Sequence, residues 1–400
     1  MENNNEDNEA ILSDIEVLDL SQGVPGPFAA KFLAGLGAEV VKVEAPGTGD
    51  YSRQSRPFLG NRYDAEGSAL FSYLNTSKKS VTLSLDSPTQ ADSLKRLAEK
   101  SDILIESYAP GYLESLGLGY KALSEINPEL IYVSVTPFGQ SGPYRDYKGA
   151  DIVAQAIGGL MYTVGIPERE PLKVGGEAGL YTIGVSTFSA TMLALHIRDE
   201  QGFGQHVDIS AMDVMAVAQI HSSINHQFGH KPVRRPTNLV QAKDGWVSPG
   251  LDTGVQAATW PKVCELMGVP EMVDDPKFTT PEARRANSQE LLSVISAWVG
   301  TKPKEEVYHT LQALRTITGY VATVEDLLKS QQFIYRDFFQ SIPDPLFGDI
   351  VQPGAPFRID DSAWKLFPAP RLGQHNEEIL CQRLGYSLDE LSLRPNKEGT

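Results

Sequence analysis

Residues 15–44 read IEVLDLSQGVPGPFAAKFLAGLGAEVVKVE, and the order of segments within them decides the fold. IEVLDL is an apolar run of strand length, GVPGP is a turn, the Ala/Leu-rich segment to Leu36 favours a helix, and AEVVKVE is a second strand run. Gly37 is placed to end that helix as its C-terminal glycine. A strand, helix, strand order with tight turns is a βαβ unit, whose strands lie parallel in one sheet. The same order recurs in SVTLSL, a helix over 88–100, DILIES, a short helix after Pro110, and LIYVSV. Helices packed on a parallel sheet are therefore expected up to Thr136.

The glycines of the first turn raise dinucleotide binding, but GVPGPF and GLGAEV both miss the G-x-G-x-x-G spacing, and no G-x-x-x-x-G-K-[ST] occurs. Nicotinamide or flavin binding is not expected. The chain has 400 residues, 41% hydrophobic and 22% charged, enough for a large core and two or three domains. Its 35 basic and 51 acidic residues leave a net charge of −16, which disfavours nucleic acid and anionic membrane as partners. Cys264 and Cys381 are the two cysteines, so a reducing cytoplasm fits better than a disulfide framework. Residues 1–12 read as a polar, acidic tail, and no apolar run approaches the ~20 residues of a membrane helix.

Residues 148–184, KGADIVAQAIGGLMYTVGIPEREPLKVGGEAGLYTIG, read as two helices around a Gly/Pro loop. Ile152, Ala156, Gly159 and Leu160 follow helical spacing behind Asp151; the second helix starts near Gly179 and carries Leu180, Ile183, Val185, Phe188, Met192 and Leu195. The loop between them is of the kind that brings backbone N–H groups to a ligand. Downstream, HVDIS reads as a strand and 211–228 as a long helix with His221 and His226. His226 and His230, four apart, share a face if the helix continues, but no third metal ligand is near and no metal site is expected. Arg234 and Arg235 form a basic pair that reads as surface charge, with phosphate contact as the alternative. KDGWVSP reads as a strand and turn opening a smaller domain, with helices over 256–267, 281–299 and 304–314.

Several segments in order and spacing resemble the class III CoA-transferases, the family of formyl-CoA and carnitine CoA-transferases and α-methylacyl-CoA racemases. They are LDLSQGVPGPFAAKFLAGLGAEVVKVEAPGTGD (18–50), KKSVTLSL (78–85), SDILIESYAPGYLESLGLGY (101–120), NPELIYVSVTPFGQSGPY (127–144), GFGQHVDISAMDV (202–214), PGAPFRI (353–359) and PAPRLGQHNEEIL (368–380). The resemblance implies an α/β fold with a large domain built on a Rossmann-like parallel sheet and a smaller α+β domain, wrapped into an interlocked ring dimer. It divides the chain into a large domain over 13–205, a linker helix and small domain over 206–316, and a return to the large domain over 317–400. GYVATVEDLL would be the return strand and helix, IPDPLFGDIVQPGAPFRI a late hairpin, and SPGLDTG (248–254) a glycine-poor active-site lid.

In active members a nucleophilic aspartate stands four residues before a helix glycine, and counting back from Gly184 reaches Leu180. A carboxylate attacks an acyl-CoA thioester to give a mixed anhydride and then an enzyme thioester. Leucine has no such chemistry. Glu177 and Asp151 are the remaining carboxylates, with Glu177 expected before the helix start and facing elsewhere. The resemblance carries CoA contacts to Val24, Pro25, Leu83, Ser107, Tyr108, Ala109, Tyr112, Leu116 and Lys148. The family's arginines correspond to Ala45 and Ser115, and its Asn-Phe to Ser107-Tyr108, so bidentate phosphate contacts are lost and CoA binding by this chain is doubtful. Asp151 matches the acid of a Tyr-Asp pair whose aromatic member is Ala150. The racemase His and Asp correspond to Ala150 and Leu180, so racemisation is not expected. The implied function is a non-nucleophilic CoA-transferase subunit, with CoA or acyl-CoA as substrate and no tightly bound cofactor. Its partner would be a homologous subunit bearing the aspartate, as in two-subunit benzylsuccinate CoA-transferases, or otherwise a second copy. A self-sufficient enzyme using another carboxylate and a non-enzymatic acyl-CoA-binding paralogue are the alternatives.

Overall fold

A computed structural model describes residues 10–166, 168–229, 239–251, 255, 257–359, 364–387 and 389–391. They form two compact units. One contains the described residues within Met1–Val164, Pro171–Val233 and Arg336–Thr400; the other contains those within Gly165–Glu170 and Arg234–Tyr335.

The larger unit starts as the βαβ reading expects: β1 (Glu16–Asp19), α1 (Pro25–Gly35) and β2 (Glu39–Glu44). Pro25 suits the first turn of α1, where its missing N–H costs nothing, and Gly37 follows the helix at φ +108°. After α2 (Ala69–Leu74) come β3 (Lys79–Thr82), α3 (Pro88–Ala98), β4 (Ile103–Glu106), α4 (Tyr112–Ser115), α5 (Tyr120–Ile126) and β5 (Ile131–Thr136). Two short helices, α6 (Asp151–Ile157) and α7 (Leu160–Thr163), precede the 24-residue α8 (Ala178–Gln201), and β6 (His206–Ser210) closes the series. The six strands form one parallel sheet in the order β3-β2-β1-β4-β5-β6.

Successive strand residues point to opposite faces, and both faces are covered, so β4 and β5 read as largely apolar runs. Ile103, Ile105, Ile131 and Val133 pack toward α1 and α8; Leu104, Tyr132, Leu18 and Val41 pack toward α3 on the other side. Helices α1 and α8 cross closely at Gly184, where a Cβ would lie 2.8 Å from the Pro25 carbonyl oxygen and 3.0 Å from the Phe28 ring. α8 is long and apolar enough to cross a membrane by length and composition, contrary to the expectation that no run approaches that length. Here its Ile183, Gly184, Thr187, Thr191, Ala194 and Leu195 are buried within this unit, which accounts for its apolar character.

After β6 run α9 (Ala211–Val217) and α10 (Ile220–Gln227), two helices rather than the single one expected, parted at Ala218 and Gln219. The smaller unit holds β7 (Val240–Ala242), β8 (Gly245–Ser248), α11 (Trp260–Met267), α12 (Pro281–Ala286), α13 (Ser288–Val299), α14 (Lys304–Ala313), β9 (Gly319–Tyr320), α15 (Val324–Lys329) and α16 (Gln331–Tyr335). The helix expected from 256 begins at Trp260, and the one expected over 281–299 divides at Asn287. Trp260, Val263, Ile295 and Leu311 are in its core. The hairpin of β10 (Phe339–Asp344) and β11 (Gly348–Pro353) belongs to the larger unit.

Both expected domain boundaries move. Residues 206–210 pair with β5 from Tyr132↔His206 to Thr136↔Ser210, so the larger unit continues past 205. GYVATVEDLL does not return to it: Gly319 and Tyr320 pair with Ser248 and Val247 of the small sheet, and the return comes at Arg336. His230, Arg234 and Arg235, residues 252–254 of SPGLDTG, and residues 1–9 of the tail lie outside the described residues. Among the described residues no group of three or more His, Cys, Asp or Glu side chains is arranged to hold a metal.

Candidate active-site cavity

In an open parallel sheet the strand order reverses at one point, and the loops leaving the carboxyl ends there diverge and open a crevice. Here that point lies between β1 and β4. A cavity of about 810 Å³ occupies it. Gln22, Pro25 and Tyr51 line it beyond β1 and β2, Ser107, Tyr108 and Ala109 beyond β4, and Val135 to Pro137 at the end of β5. The start of α6 and residues Lys173, Glu177, Leu180 and Ile183 complete the wall.

The loop after β1 is held from beneath by buried charge. Lys42 Nζ donates to the Ser21 carbonyl at 2.8 Å and pairs with Asp50 at 2.9 Å and Asp19 at 3.6 Å. Asp50 Oδ1 in turn accepts the Gly23 N–H at 3.0 Å, and Ser107 Oγ accepts the Gln22 N–H at 2.9 Å. The cavity-facing loops of β1 and β4 are thus tied to each other and to the sheet.

Leu180 stands half-buried in this cavity, touching the apolar clusters on both flanks of α1. Asp151 is buried and fully engaged: Gln155 Nε2 donates to its two oxygens at 3.0 and 2.9 Å, and Lys173 Nζ lies 2.5 Å from Oδ2. Its carboxyl packs so tightly on Gly179 that a Cβ there would meet Oδ1 at 2.5 Å. A carboxylate held by an ammonium and an amide is a weak nucleophile. Glu177 caps α8 in the left-handed region at φ 56°, ψ 29°, a conformation that costs about 1 kcal/mol or more in a non-glycine residue. It was expected to face away; instead it lines the same cavity, because the left-handed turn redirects the chain entering α8. Burial raises the phenols of Tyr51 and Tyr181, and the charge of Glu177 adds to both shifts.

Of the positions implied as CoA contacts, Pro25, Ser107, Tyr108 and Ala109 meet at the cavity. Tyr112 stacks on Tyr108 at 5.1 Å and donates to Asp86 at 3.1 Å. Val24 is buried with Phe28 and Phe32, while Leu83 is buried and Leu116 partly buried in the core beneath α3. Lys148 is exposed and does not line the cavity, and Ala45 and Ser115 are exposed without a charge to offer. Sequence reasoning passed over Gln22, Tyr51, Gln155 and Lys173. Only the Asp151–Gln155 pair left a signal, since residues four apart on a helix face each other.

Glu106, at the end of β4, is buried beside Tyr108, whose N–H it accepts at 2.7 Å. Burial outweighs that bond and the one from Ser134, pushing its carboxyl up to about 7. Because the folded state then holds a proton that the unfolded chain releases above its ordinary 4.5, stability falls as pH rises from 4.5 to about 7 and stays low beyond. At about 1.4 kcal/mol per unit, Glu106→Gln is expected to stabilise the protein by about 3–4 kcal/mol above about pH 8, and hardly at all below about pH 4.5. Urea unfolding midpoints across that range test it; a pH-independent effect of the substitution would exclude a titrating Glu106.

The pattern of CoA-transferase family III matches residues 12–376. The chain belongs to this family. It is similar to the formyl-CoA:oxalate CoA-transferase of Streptomyces avermitilis, 32% identical over 96% of this chain and 97% of the relative. It is equally similar to the succinyl-CoA–D-citramalate CoA-transferase of Chloroflexus aurantiacus, at 32% identity over 96% of each chain. Among solved structures, a CAIB/BAIF family protein from Brucella suis superposes with a TM-score of 0.84 at 29% identity, covering 94% of this chain and 99% of that one. The CoA-transferase scaffold is therefore present along nearly the whole chain, with a leucine in the wall of its crevice.

Proposed function

We propose that this chain is a non-nucleophilic CoA-transferase subunit that works with a homologous subunit bearing the aspartate. Together they transfer CoA from an acyl-CoA, such as the succinyl-CoA named for one relative, to a carboxylic acid, with an aromatic succinate as the candidate acceptor. The observation that carries this is Leu180 in the cavity wall, with the buried carboxylate of the same lining, Asp151, already bound by Lys173 and Gln155.

In the partner, an aspartate would attack the thioester carbonyl, forming a mixed anhydride and expelling CoA thiolate. The thiolate then attacks the aspartyl carbonyl, the donor acid leaves, and the acceptor carboxylate runs the sequence in reverse. This chain would supply framework and pocket wall. Its exposed Leu193 on α8, and Val217, Ile220, Ile224 and Phe228 along α9 and α10, favour cover by another subunit in an interlocked ring. A cytoplasmic setting suits acyl-CoA chemistry and the sparse cysteines.

One observation favours a second reading, a self-sufficient enzyme: Glu177 lines the same cavity and its side chain caps no helix N–H. Co-expression with an aspartate-bearing homologue, incubation with succinyl-CoA, borohydride trapping and mass spectrometry separate the two. A heteromer with the adduct on the homologue alone is expected. A stoichiometric adduct on Glu177, or transfer by homodimers of this chain, would establish the second reading instead.

A further inference from the structure

A second cavity, of about 540 Å³, lies in the larger unit and shares no lining residue with the Leu180 cavity. It opens between the hairpin turn around Leu346 and Phe347 and residues 367–375, with Lys78 and Glu66 deeper in. Its volume falls within the ~300–1,000 Å³ of ordinary small-molecule sites.

The polar groups around it are lopsided. Both acids are occupied: Glu66 accepts the Leu372 N–H at 3.1 Å and Arg53 Nη1 at 3.4 Å, and Asp344 Oδ1 accepts the N–H groups of Leu346 and Phe347 at 2.8 and 3.2 Å. All three protons of Lys78 are taken, by Asp19, the Pro27 carbonyl and Asn75. The donors at the rim are not. His375 accepts the Ser80 N–H on Nδ1 at 3.0 Å, which leaves the proton of its neutral ring on Nε2. Burial holds its pKa below the ordinary histidine value, so the neutral ring prevails at pH 7. Gln374 spends its Oε1 on the Arg371 N–H at 2.9 Å, leaving its amide hydrogens. The Arg371 guanidinium has no carboxylate within ion-pair reach among the described residues.

A cavity whose acceptors are satisfied and whose donors are open calls for an acceptor-bearing ligand, and an unpaired guanidinium calls for an anion. Apolar walls at Phe347, Phe367 and Pro368 call for a flat, apolar body beside it. We propose that this cavity binds a small aromatic anion, its carboxylate or phosphate head on Arg371 and His375 and its ring against Phe347 and Phe367. The site is independent of the Leu180 cavity and of the function proposed for it.

Calorimetric titration of the full chain with 2-naphthoate, 5′-AMP, 2-naphthylmethanol and inorganic phosphate tests this. Saturable binding of naphthoate identifies a carboxylate head and that of 5′-AMP a phosphate head; either supports the site. The neutral alcohol and bare phosphate are expected to bind about tenfold more weakly or worse, since each lacks one half of the recognition. Arg371→Met, at an exposed position, should weaken the anion about tenfold or more with an unchanged thermal midpoint. Leu180→Phe, which crowds the other cavity, should leave that binding unaltered. The proposal is overturned if neither anion binds, if the alcohol binds as tightly, if Arg371→Met has no effect, or if Leu180→Phe abolishes the signal.

Discussion

Leu180→Asp in the isolated chain is expected to leave CoA transfer at background, although on the proposed reading it supplies the missing nucleophile. The first reason is local. The new carboxylate would join a wall that already holds Asp151, packed against Gly179, and Glu177 at the N-terminus of α8. Among the described lining residues Lys173 is the one cation, and Asp151 already occupies it at 2.5 Å. Like charges sharing a cavity wall raise a carboxyl's pKa and lower its nucleophilic fraction. The second reason lies at the CoA end. On the proposed reading Ala45 and Ser115 offer no guanidinium to the CoA phosphates, and Lys148 does not line the cavity. Two charge-assisted hydrogen bonds at ~1.5–3 kcal/mol each amount to about 10²- to 10⁴-fold in affinity. A thioester that does not dwell in the crevice gives a nucleophile nothing to attack. Calorimetry with CoA and a transfer assay on the variant decide the matter: micromolar CoA binding, or transfer restored by this one residue, would place the defect at Leu180 alone and refute loss of the phosphate contacts.

The parallel sheet was legible because β1, β4 and β5 carry apolar runs and most connections carry Gly or Pro, so β1 to β5 could be placed from residue type alone. β6 was legible as a strand, but its membership was not. HVDIS exposes His206 and Asp208 and buries Ile209 and Ser210, and nothing local says that its partner is β5, some seventy residues earlier. GYVATV failed for the same reason: a short β-favouring run carries no address, and its pairing with β8 is a long-range fact. In the cavity, Leu180 was reached by counting back from Gly184 as the family resemblance directs, and Gly184 lies where α1 and α8 cross closely. Glu177 was misread because a left-handed glutamate has no sequence signature; favourable surroundings, not propensity, hold it there. Lys173 was missed because its partner sits 22 residues away across the glycine loop.

Asp19→Ala is expected to cost about 3–5 kcal/mol, a loss large enough to threaten folding, because it strips a buried cluster of its shared anion. Asp19 accepts Lys78 Nζ at 2.7 Å, lies 3.6 Å from Lys42 Nζ, and takes both the N–H and the hydroxyl of Ser21. All three charged side chains are inaccessible to water. Burial alone would push the Asp19 carboxyl up, but the two ammonium groups outweigh it and hold it below the usual range. For Lys78 burial wins: it holds the ammonium down to about 8 even with Asp19 in contact. Without Asp19 the proton would leave at still lower pH. A lysine whose folded pKa lies below its unfolded 10.5 makes stability rise with pH between the two values, since only the unfolded chain keeps the proton there. The wild-type protein should therefore gain stability from about pH 8 upward, and Asp19→Ala should show a longer rise that begins below it, with its deficit greatest at pH values below the start of that longer rise. Lys78→Met in the Asp19→Ala background removes the stranded charge, so the pair of substitutions should cost less than the sum of the singles by about 1–3 kcal/mol. Urea midpoints of the four proteins at several pH values measure both effects. Additive losses with no pH dependence would mean that the Asp19–Lys78 contact carries no net energy. The loop from Ser21 to Pro25, held by this cluster from below, would then owe its position to packing alone.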